Sequence, residues 1–359
     1  MNLKRALFAL AALVAIAVAA LAWLVVVYPS QPPKPGASKT VALQLAPGSS
    51  LDAVADQLAH AHLIDEPRVF ALYARVLGAE ARLRSGQVLV TSQMTIRQLL
   101  QRIATGFGST PLLITIPEGW NRFDVAQRLG EWGVCSAEEF LAADHASSHV
   151  HALDPSAANS EGYLFPDTYW LRDGMRAEQV LTKLTDNAQR RIGKLLASEA
   201  DAVTRLQSEL GFGPREIVTL ASIVEKEAHT PDERPLIAGV FLNRLRDPSF
   251  RPKRLQADPT VAYGCFARRD LASCTGFDGK RVTRVMTGDL QNTFNTYRLE
   301  GLPPGPIANP GLSALRAVLR PAEHNYLYFV ARGDGRHTFS TNLEAHNLAV
   351  HSGAVSAAP

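Results

Sequence analysis

Cysteine is scarce in this chain: Cys135, Cys265 and Cys274 are the only three among 359 residues. So few cysteines exclude a small secreted domain held together by disulfides. Their spacing contains no CxxC pair, which excludes the commonest cysteine-based zinc sites.

Histidine is present but lacks a metal-binding pattern. No HExxH sequence or comparable ligand spacing occurs around His229, His324, His337 and His346. Surface or hydrogen-bonded histidines explain all four, so a zinc hydrolase is disfavoured. The sequence therefore predicts no metal site and no cofactor.

A strong excess of charge is also missing. The formal net charge is only +3, and lysine and arginine are spread along the chain. Nucleic-acid-binding domains usually concentrate basic residues on one face, so no nucleic-acid partner is predicted. The chain has no internal repeat, and its length suits a membrane anchor plus two or three domains.

One long uncharged run covers residues 6–28. Spanning a bilayer needs roughly 20 residues, so this run predicts a transmembrane helix. Lys4 and Arg5 precede it and the next basic residue is Lys34, which places residues 1–5 in the cytoplasm and the rest outside. A cleaved signal peptide is the alternative, but its apolar core is typically about 7–15 residues long. We therefore expect a single-pass protein of the inner (cytoplasmic) membrane that is anchored in the lipid bilayer and has its later domains in the periplasm.

Residues 29–39 are rich in proline and predict a short extended linker. Residues 40–110 then alternate between strand and helix patterns, in the order strand, helix, helix, strand, helix. That order resembles a LysM-like module, a fold that binds N-acetylglucosamine polymers. A small α+β linker domain without a ligand is equally compatible with the pattern.

Residues 111–350 predict a larger, mixed domain, which makes the whole chain α+β, and residues 351–359 predict a flexible tail. Within this domain, apolar residues from 213 to 228 recur at three- and four-residue steps, as in an amphipathic helix. Glu225 and Glu227 fall on opposite flanks of the apolar stripe. A carboxyl group at such an edge is partly desolvated and suits a general acid, but on the pattern alone an ordinary amphipathic helix with solvated glutamates is favoured. The helical geometry does not choose between the two.

Five segments outside simple periodic patterns carry most of the information: EGYLFPDTY at 161–169, LASIVEKEA at 220–228, LQADPTVAYG at 255–264, NTYRLEGLPPGPIANPG at 295–311 and YLYFVARGDGRHTFSTNLEAHN at 326–347. Taken together and in this order, they resemble the endolytic murein transglycosylase (YceG-like) family. The resemblance covers most of residues 40–350. It implies an enzyme, a lytic murein transglycosylase, with peptidoglycan glycan strands as its substrate. It also implies a LysM-like domain before the catalytic domain.

The resemblance implies that the catalytic acid is the first glutamate of the EKE motif, Glu225. It further implies cleavage between N-acetylmuramic acid and N-acetylglucosamine, with a 1,6-anhydro sugar as the product. One carboxyl group suffices, because the sugar's own 6-hydroxyl replaces the water that ordinary glycosidases activate. A non-catalytic, glycan-binding scaffold protein of the envelope is the competing interpretation. Peptidoglycan synthases are possible further partners.

Other residues are weaker candidates for substrate binding. Amide and acidic side chains suit sugar hydroxyls and acetamido groups, and tyrosines can stack on sugar rings. Each of these residues has a structural alternative, such as a salt bridge, a backbone hydrogen bond or core packing. The candidates are Glu161, Tyr163, Glu227, Gln256, Asn295, Tyr297 and Asn342.

Cys265 and Cys274 depart from the family pattern. If this part of the chain lies outside the membrane, a disulfide between them would persist. Two buried thiols are the alternative, and Cys135 would remain unpaired in either case.

Overall fold

The computed structural model describes residues 18–30, 40–46, 48–80, 83, 86–92, 94–105, 111–145 and 150–356. The described residues divide into two compact units. The first draws on Met1–Ile114, Ala126–Glu139 and Tyr169–Ala177, and the second on Thr115–Val125, Phe140–Thr168 and Glu178–Pro359. Both contain helices and short strands, which confirms the predicted α+β class.

Residues 6–17 of the predicted transmembrane run lie outside the described residues. Its described end forms a π-helical turn at Trp23–Val27 and a 3₁₀ turn at Tyr28–Ser30. Within the described part of the chain, no helix is both long enough and apolar enough to cross a membrane. Residues 31–39 of the predicted linker also lie outside the described residues.

The first unit begins with two strands and three helices in the predicted order: β1 (Thr40–Leu45), α1 (Leu51–His60), α2 (Pro67–Val76), β2 (Gly86–Thr91) and α3 (Ile96–Thr105). β1 and β2 are antiparallel, with Thr40 opposite Thr91. The Ser50 side chain starts α1 by accepting a hydrogen bond from the Ala53 backbone N–H at 3.2 Å. The order of elements is confirmed, whereas the LysM-like assignment stays a prediction.

Apolar side chains from all three helices form the core of this unit. Five of the most buried are Leu51, Val54, Leu58, Phe70 and Ile103. A second pair of strands forms a separate two-stranded sheet. These strands and the helices between them are β3 (Pro111–Ile116), α4 (Arg122–Glu131), α5 (Ala137–Asp144) and β4 (Asp167–Arg172).

The second unit is mainly helical and carries one β-hairpin. Its helices are α6 (Ala177–Ser198), α7 (Ala200–Leu210), α8 (Pro214–Glu227), α9 (Arg234–Arg246), α10 (Asp258–Ala267), α11 (Arg284–Gly288), α12 (Leu312–Leu319) and α13 (Leu343–Ser356). The chain is interrupted between α6 and α7 at Glu199, whose backbone leaves helical geometry (φ −117°, ψ 31°). This bend lets Ile192 of α6 and Leu206 of α7 reach the same core.

Helix α8 lies at the centre of this unit and packs against α9 and α12. Pro214 occupies its first turn, and the Gly213 backbone N–H donates to the Glu216 carboxylate at 2.8 Å. Every residue from Ile217 to Glu225 is buried, so the predicted amphipathic helix is in fact enclosed on all sides. Only its first and last turns can therefore present side chains to solvent.

The hairpin consists of β5 (Tyr328–Ala331) and β6 (His337–Ser340), which pair antiparallel with Tyr328 opposite Ser340. Helix α13 packs against both strands. It continues to Ser356, beyond the predicted start of a flexible tail at residue 351. No proline lies between Leu343 and Pro359, which removes the strongest local reason for the helix to end earlier. Residues 357–359 lie outside the described residues.

Cys265 and Cys274 form a disulfide, with their Cα atoms 5.3 Å apart. The bridge joins the last turn of α10 to a 3₁₀ turn at Ala272–Cys274. Both cysteines are buried beside Val261 and Met286, so the bridge is part of a small satellite core. Cys135 is a buried thiol.

Candidate functional site

The end of α8 separates the two candidate glutamates. Glu225 lies among buried side chains, Lys226 is exposed, and Glu227, the last residue of the helix, is half-buried. The Lys226 Nζ donates to the Gly119 carbonyl oxygen at 3.1 Å, which fixes the helix end against the turn after β3. The two carboxyl groups consequently have different neighbours.

Both carboxylate oxygens of Glu225 have structural partners. Oε1 lies 2.5 Å from a guanidinium nitrogen of Arg234, and Oε2 accepts a hydrogen bond from the Gly311 backbone N–H at 3.1 Å. Burial raises the pKa of Glu225, while the Gly311 N–H and the Arg234 charge oppose that rise. Arg234 begins α9 and Gly311 precedes α12, so Glu225 ties the starts of two helices to α8.

Glu227 instead lines a cleft of about 680 Å³. Residues from α8, α9, α10, α13 and both hairpin strands contribute to its walls. Among the lining residues are Arg244, Gln256, Asp258, Tyr297, Tyr328, His337, His346 and Asn347. The walls combine aromatic faces with carboxylate, amide and imidazole groups, which is the mixture that suits a polar sugar with apolar ring faces.

The pKa of Glu227 is raised to about 8. Removal from water is the main cause, the negative charge of Asp258 adds to it, and the positive charge of Arg244 opposes it. A carboxyl group with such a pKa keeps its proton at neutral pH and can donate it to a bound substrate.

Two further predicted residues join Glu227 in the cleft. Gln256 is exposed and has a left-handed backbone (φ 54°), an unusual conformation for a residue other than glycine. Its N–H donates to the Thr296 carbonyl at 3.2 Å, which holds the turn in place. Tyr297 is half-buried, and its hydroxyl donates to Asp258 Oδ1 at 2.7 Å.

Glu161 and Tyr163 lie in the interior rather than in the cleft. Glu161 accepts hydrogen bonds from the Arg122 backbone N–H at 3.0 and 3.2 Å, and burial raises its pKa to about 8. The Tyr163 ring is fully buried, and its hydroxyl donates to Asp154 at 3.1 Å. Stacking on a sugar requires an exposed ring face, which this tyrosine does not have.

The two predicted asparagines have structural partners as well. Asn295 is fully buried, and its Nδ2 donates to the carbonyl oxygens of Met286, Thr287 and Asp289 around the end of α11. The Asn342 side chain accepts from the Ala345 N–H at 2.9 Å and thereby starts α13. These contacts explain both residues as supports for helix ends.

A model of the YceG-like family matches residues 43–352, which contain every residue of the cleft. The chain belongs to the YceG-like family. The endolytic murein transglycosylase of Bacillus subtilis (strain 168) is 28% identical over 339 residues, covering 89% of this chain and 86% of that protein. The endolytic murein transglycosylase of Streptococcus pneumoniae serotype 2 (strain D39) is 26% identical over 345 residues, covering 87% of this chain and 58% of that protein.

A solved structure supports the fold of this YceG-like chain. The crystal structure of a YceG-like protein from Listeria monocytogenes superimposes with a TM-score of 0.57 at 27% sequence identity. The match covers 86% of this chain and 98% of that one.

Sequence reasoning missed several residues of the YceG-like cleft. Asp258 follows Gln256 in the segment LQADPT, and an aspartate before a proline at the start of a helix was a usable signal. Arg244, by contrast, lies in a helical run with no distinguishing pattern. Its guanidinium reaches the cleft because Nε donates to the Leu327 carbonyl at 2.6 Å, a contact across 83 residues of sequence.

Proposed function

We propose that this protein is a lytic transglycosylase that cuts peptidoglycan glycan strands internally, between N-acetylmuramic acid and N-acetylglucosamine. The observation that carries the proposal is Glu227, a glutamate with a raised pKa in a cleft with aromatic and polar walls. Membership of the YceG-like family and the names of the two relatives support the same reaction class.

In this mechanism Glu227 acts first as an acid and then as a base. Its carboxyl group protonates the glycosidic oxygen as the bond to C1 of the muramic acid breaks. The resulting carboxylate then accepts the proton of the 6-hydroxyl on the same sugar, whose oxygen attacks C1. The products are a strand ending in 1,6-anhydromuramic acid and a strand with a free N-acetylglucosamine hydroxyl, and no water is consumed. The glutamate ends protonated again, ready for another cycle.

This assignment moves the catalytic role from the predicted Glu225 to its neighbour. Glu225 has an arginine and a backbone N–H as partners, which favour a carboxylate with a structural role. Glu227 lies where a sugar strand has room, and its pKa favours proton donation. The proposed roles of Gln256 and Tyr297 remain substrate contacts in the same cleft.

A pair of matched variants tests the assignment. Glu227→Gln is expected to lower the cleavage rate of purified glycan strands by about 10²–10⁴-fold, the usual contribution of a general acid. Glu225→Gln is expected to retain cleavage but to lower the free energy of unfolding by about 1.5–3 kcal/mol, because Arg234 loses a charged partner. Loss of cleavage in a folded Glu225→Gln chain, with a mild effect at Glu227, would return the role to Glu225. A wild-type chain that binds strands without cutting them would support the scaffold interpretation instead.

The cellular setting is also part of the proposal. The uncharged run at 6–28 supports a single membrane anchor with its N-terminus in the cytoplasm. Residues 40–110 are proposed as a LysM-like glycan-binding domain and residues 111–350 as the catalytic domain. Such an anchored enzyme would act on newly made strands near the membrane, beside peptidoglycan synthases, and would limit strand elongation.

A further inference from the structure

Asp258 is the second carboxyl group of the cleft and has a defined position. It is the first residue of α10, and its carboxylate accepts the hydrogen bond from the Tyr297 hydroxyl at 2.7 Å. Burial and the nearby carboxylates raise the pKa of Tyr297, so the phenol stays a hydrogen-bond donor. Asp258 is exposed and lines the same cleft as Glu227, so it brings a second acidic side chain next to the proposed catalytic acid.

The other charged or titratable groups around Glu227 come from every element that lines the cleft. They are Lys226 of α8, His229 after it, Arg244 of α9, Tyr297 of the loop before α12, Tyr328 of β5, His337 of β6 and His346 of α13. The cation that opposes the Asp258 charge is Arg244. Its guanidinium donates to the carbonyl oxygens of Leu327 and Leu255, which divides its attraction among several acceptors.

We propose that Asp258, held by the Tyr297 hydroxyl, is a positioning residue whose negative charge keeps Glu227 in its proton-donating form. The proposal rests on the proposed function and deepens it, because Asp258 acts on the reaction through Glu227. A like charge nearby makes loss of the Glu227 proton less favourable. Since Asp258 is exposed, water and salt weaken the effect without removing it.

The test is the pH profile of glycan-strand cleavage by the full chain, from about pH 5 to about pH 9, a range that brackets the ionisation of Glu227. In Asp258→Asn, the loss of activity at high pH is expected to begin at a pH lower by about 0.5–1 unit. At a given pH on this alkaline limb of the profile, the cleavage rate therefore falls about three- to tenfold. The rate at acidic pH should change little. Asp258→Glu keeps the charge and is expected to keep the wild-type limb. Asp270→Asn is the matched control, because it removes an exposed carboxylate that does not line the cleft.

The proposal would be overturned if the alkaline limb of Asp258→Asn lay at the wild-type pH. It would also be overturned if this variant lost activity equally at every pH. If the asparagine variant failed to fold, Asp258→Ser would apply the same test, since serine is also accepted at helix starts. Glu227→Gln separates the two hypotheses. An inactive glutamine variant combined with an unmoved limb in Asp258→Asn would overturn the role of Asp258 alone. A glutamine variant that still cleaves strands would overturn the catalytic role of Glu227, and a wild-type chain that does not cleave them would overturn the proposed function itself.

Discussion

Glu225 and Glu227 are separated by one residue, and burial raises the pKa of both, but their carboxyl groups have different partners. Glu225 faces an arginine and a backbone N–H, both of which favour a carboxylate. Glu227 shares a cleft with the acidic side chain of Asp258, and the cation that opposes the pKa rise, Arg244, also donates to backbone oxygens. A site that favours the protonated acid at neutral pH also reduces the stability of the folded chain once that acid ionises.

The ionisation of Glu227 therefore contributes to the pH dependence of the free energy of unfolding. Folding raises its pKa from 4.5 to about 8, so between these values the folded state binds more protons than the unfolded state. Stability therefore falls as the pH rises through this window. Glu227→Gln is expected to remove that part of the loss and to be about 1–2 kcal/mol more stable than wild type near pH 8, allowing for water in the cleft. Near pH 4.5 the two should be equal.

Urea unfolding at several pH values measures the difference. Burial raises the pKa of Glu161 to about 8 as well, so it also lowers the free energy of unfolding as the pH rises. Because Glu161 is present in both wild type and Glu227→Gln, its effect cancels in the comparison. Glu323→Gln, at an exposed position outside the cleft, serves as the control. Parallel curves for wild type and Glu227→Gln would mean that Glu227 ionises like an ordinary exposed glutamate.

At the residue scale, the sequence identified three of the residues that line the cleft, Glu227, Gln256 and Tyr297. Gln256 and Tyr297 were found because they stand in loops rich in proline, glycine and polar side chains. The helical pattern could not separate the two glutamates, because it places both at the margin of the apolar face, and only the family resemblance selected Glu225. What separates them is Gly311, whose N–H reaches Glu225 across 86 residues of sequence. No local pattern encodes such a contact.

At the scale of helices and strands, local patterns were more informative. The order of elements in the first unit and the bounds of α8 were predicted closely, since periodicity and capping residues are local signals. The break between α6 and α7 at Glu199 has no such signal, because neither proline nor glycine marks it. The disulfide was predicted as one of two alternatives, and the structure contains the bridge.

The disulfide gives a prediction at this scale. Thiol titration in denaturant without reductant should detect one reactive thiol per chain, that of Cys135, because Cys265 and Cys274 are bonded. Replacing both bonded cysteines by serine should lower the free energy of unfolding by about 2–3 kcal/mol in the chain-entropy model, because the unfolded chain gains freedom. Wild type kept in reductant is the control for the thiol count. Three reactive thiols in the unreduced protein would contradict the bridge.

At the scale of the whole molecule, the catalytic proposal needs only the second unit. Every residue of the cleft lies between Lys226 and Asn347, within that unit. The LysM-like assignment and the membrane anchor rest on sequence patterns instead, so they concern where the enzyme works rather than how it cuts. The chemistry of the cut can therefore be tested on purified strands, without a membrane.

The central claim is that the oxygen of the muramic acid's own 6-hydroxyl replaces the glycosidic oxygen at C1. The most direct test is mass spectrometry of the new chain ends. Wild-type protein incubated with purified glycan strands should yield fragments that end in 1,6-anhydromuramic acid, each lighter by one water than the hydrolysis product. Strands incubated with Glu227→Gln provide the background. Fragments that end in reducing muramic acid would show that water attacks C1, and would contradict the transglycosylase mechanism even if Glu227 proved essential.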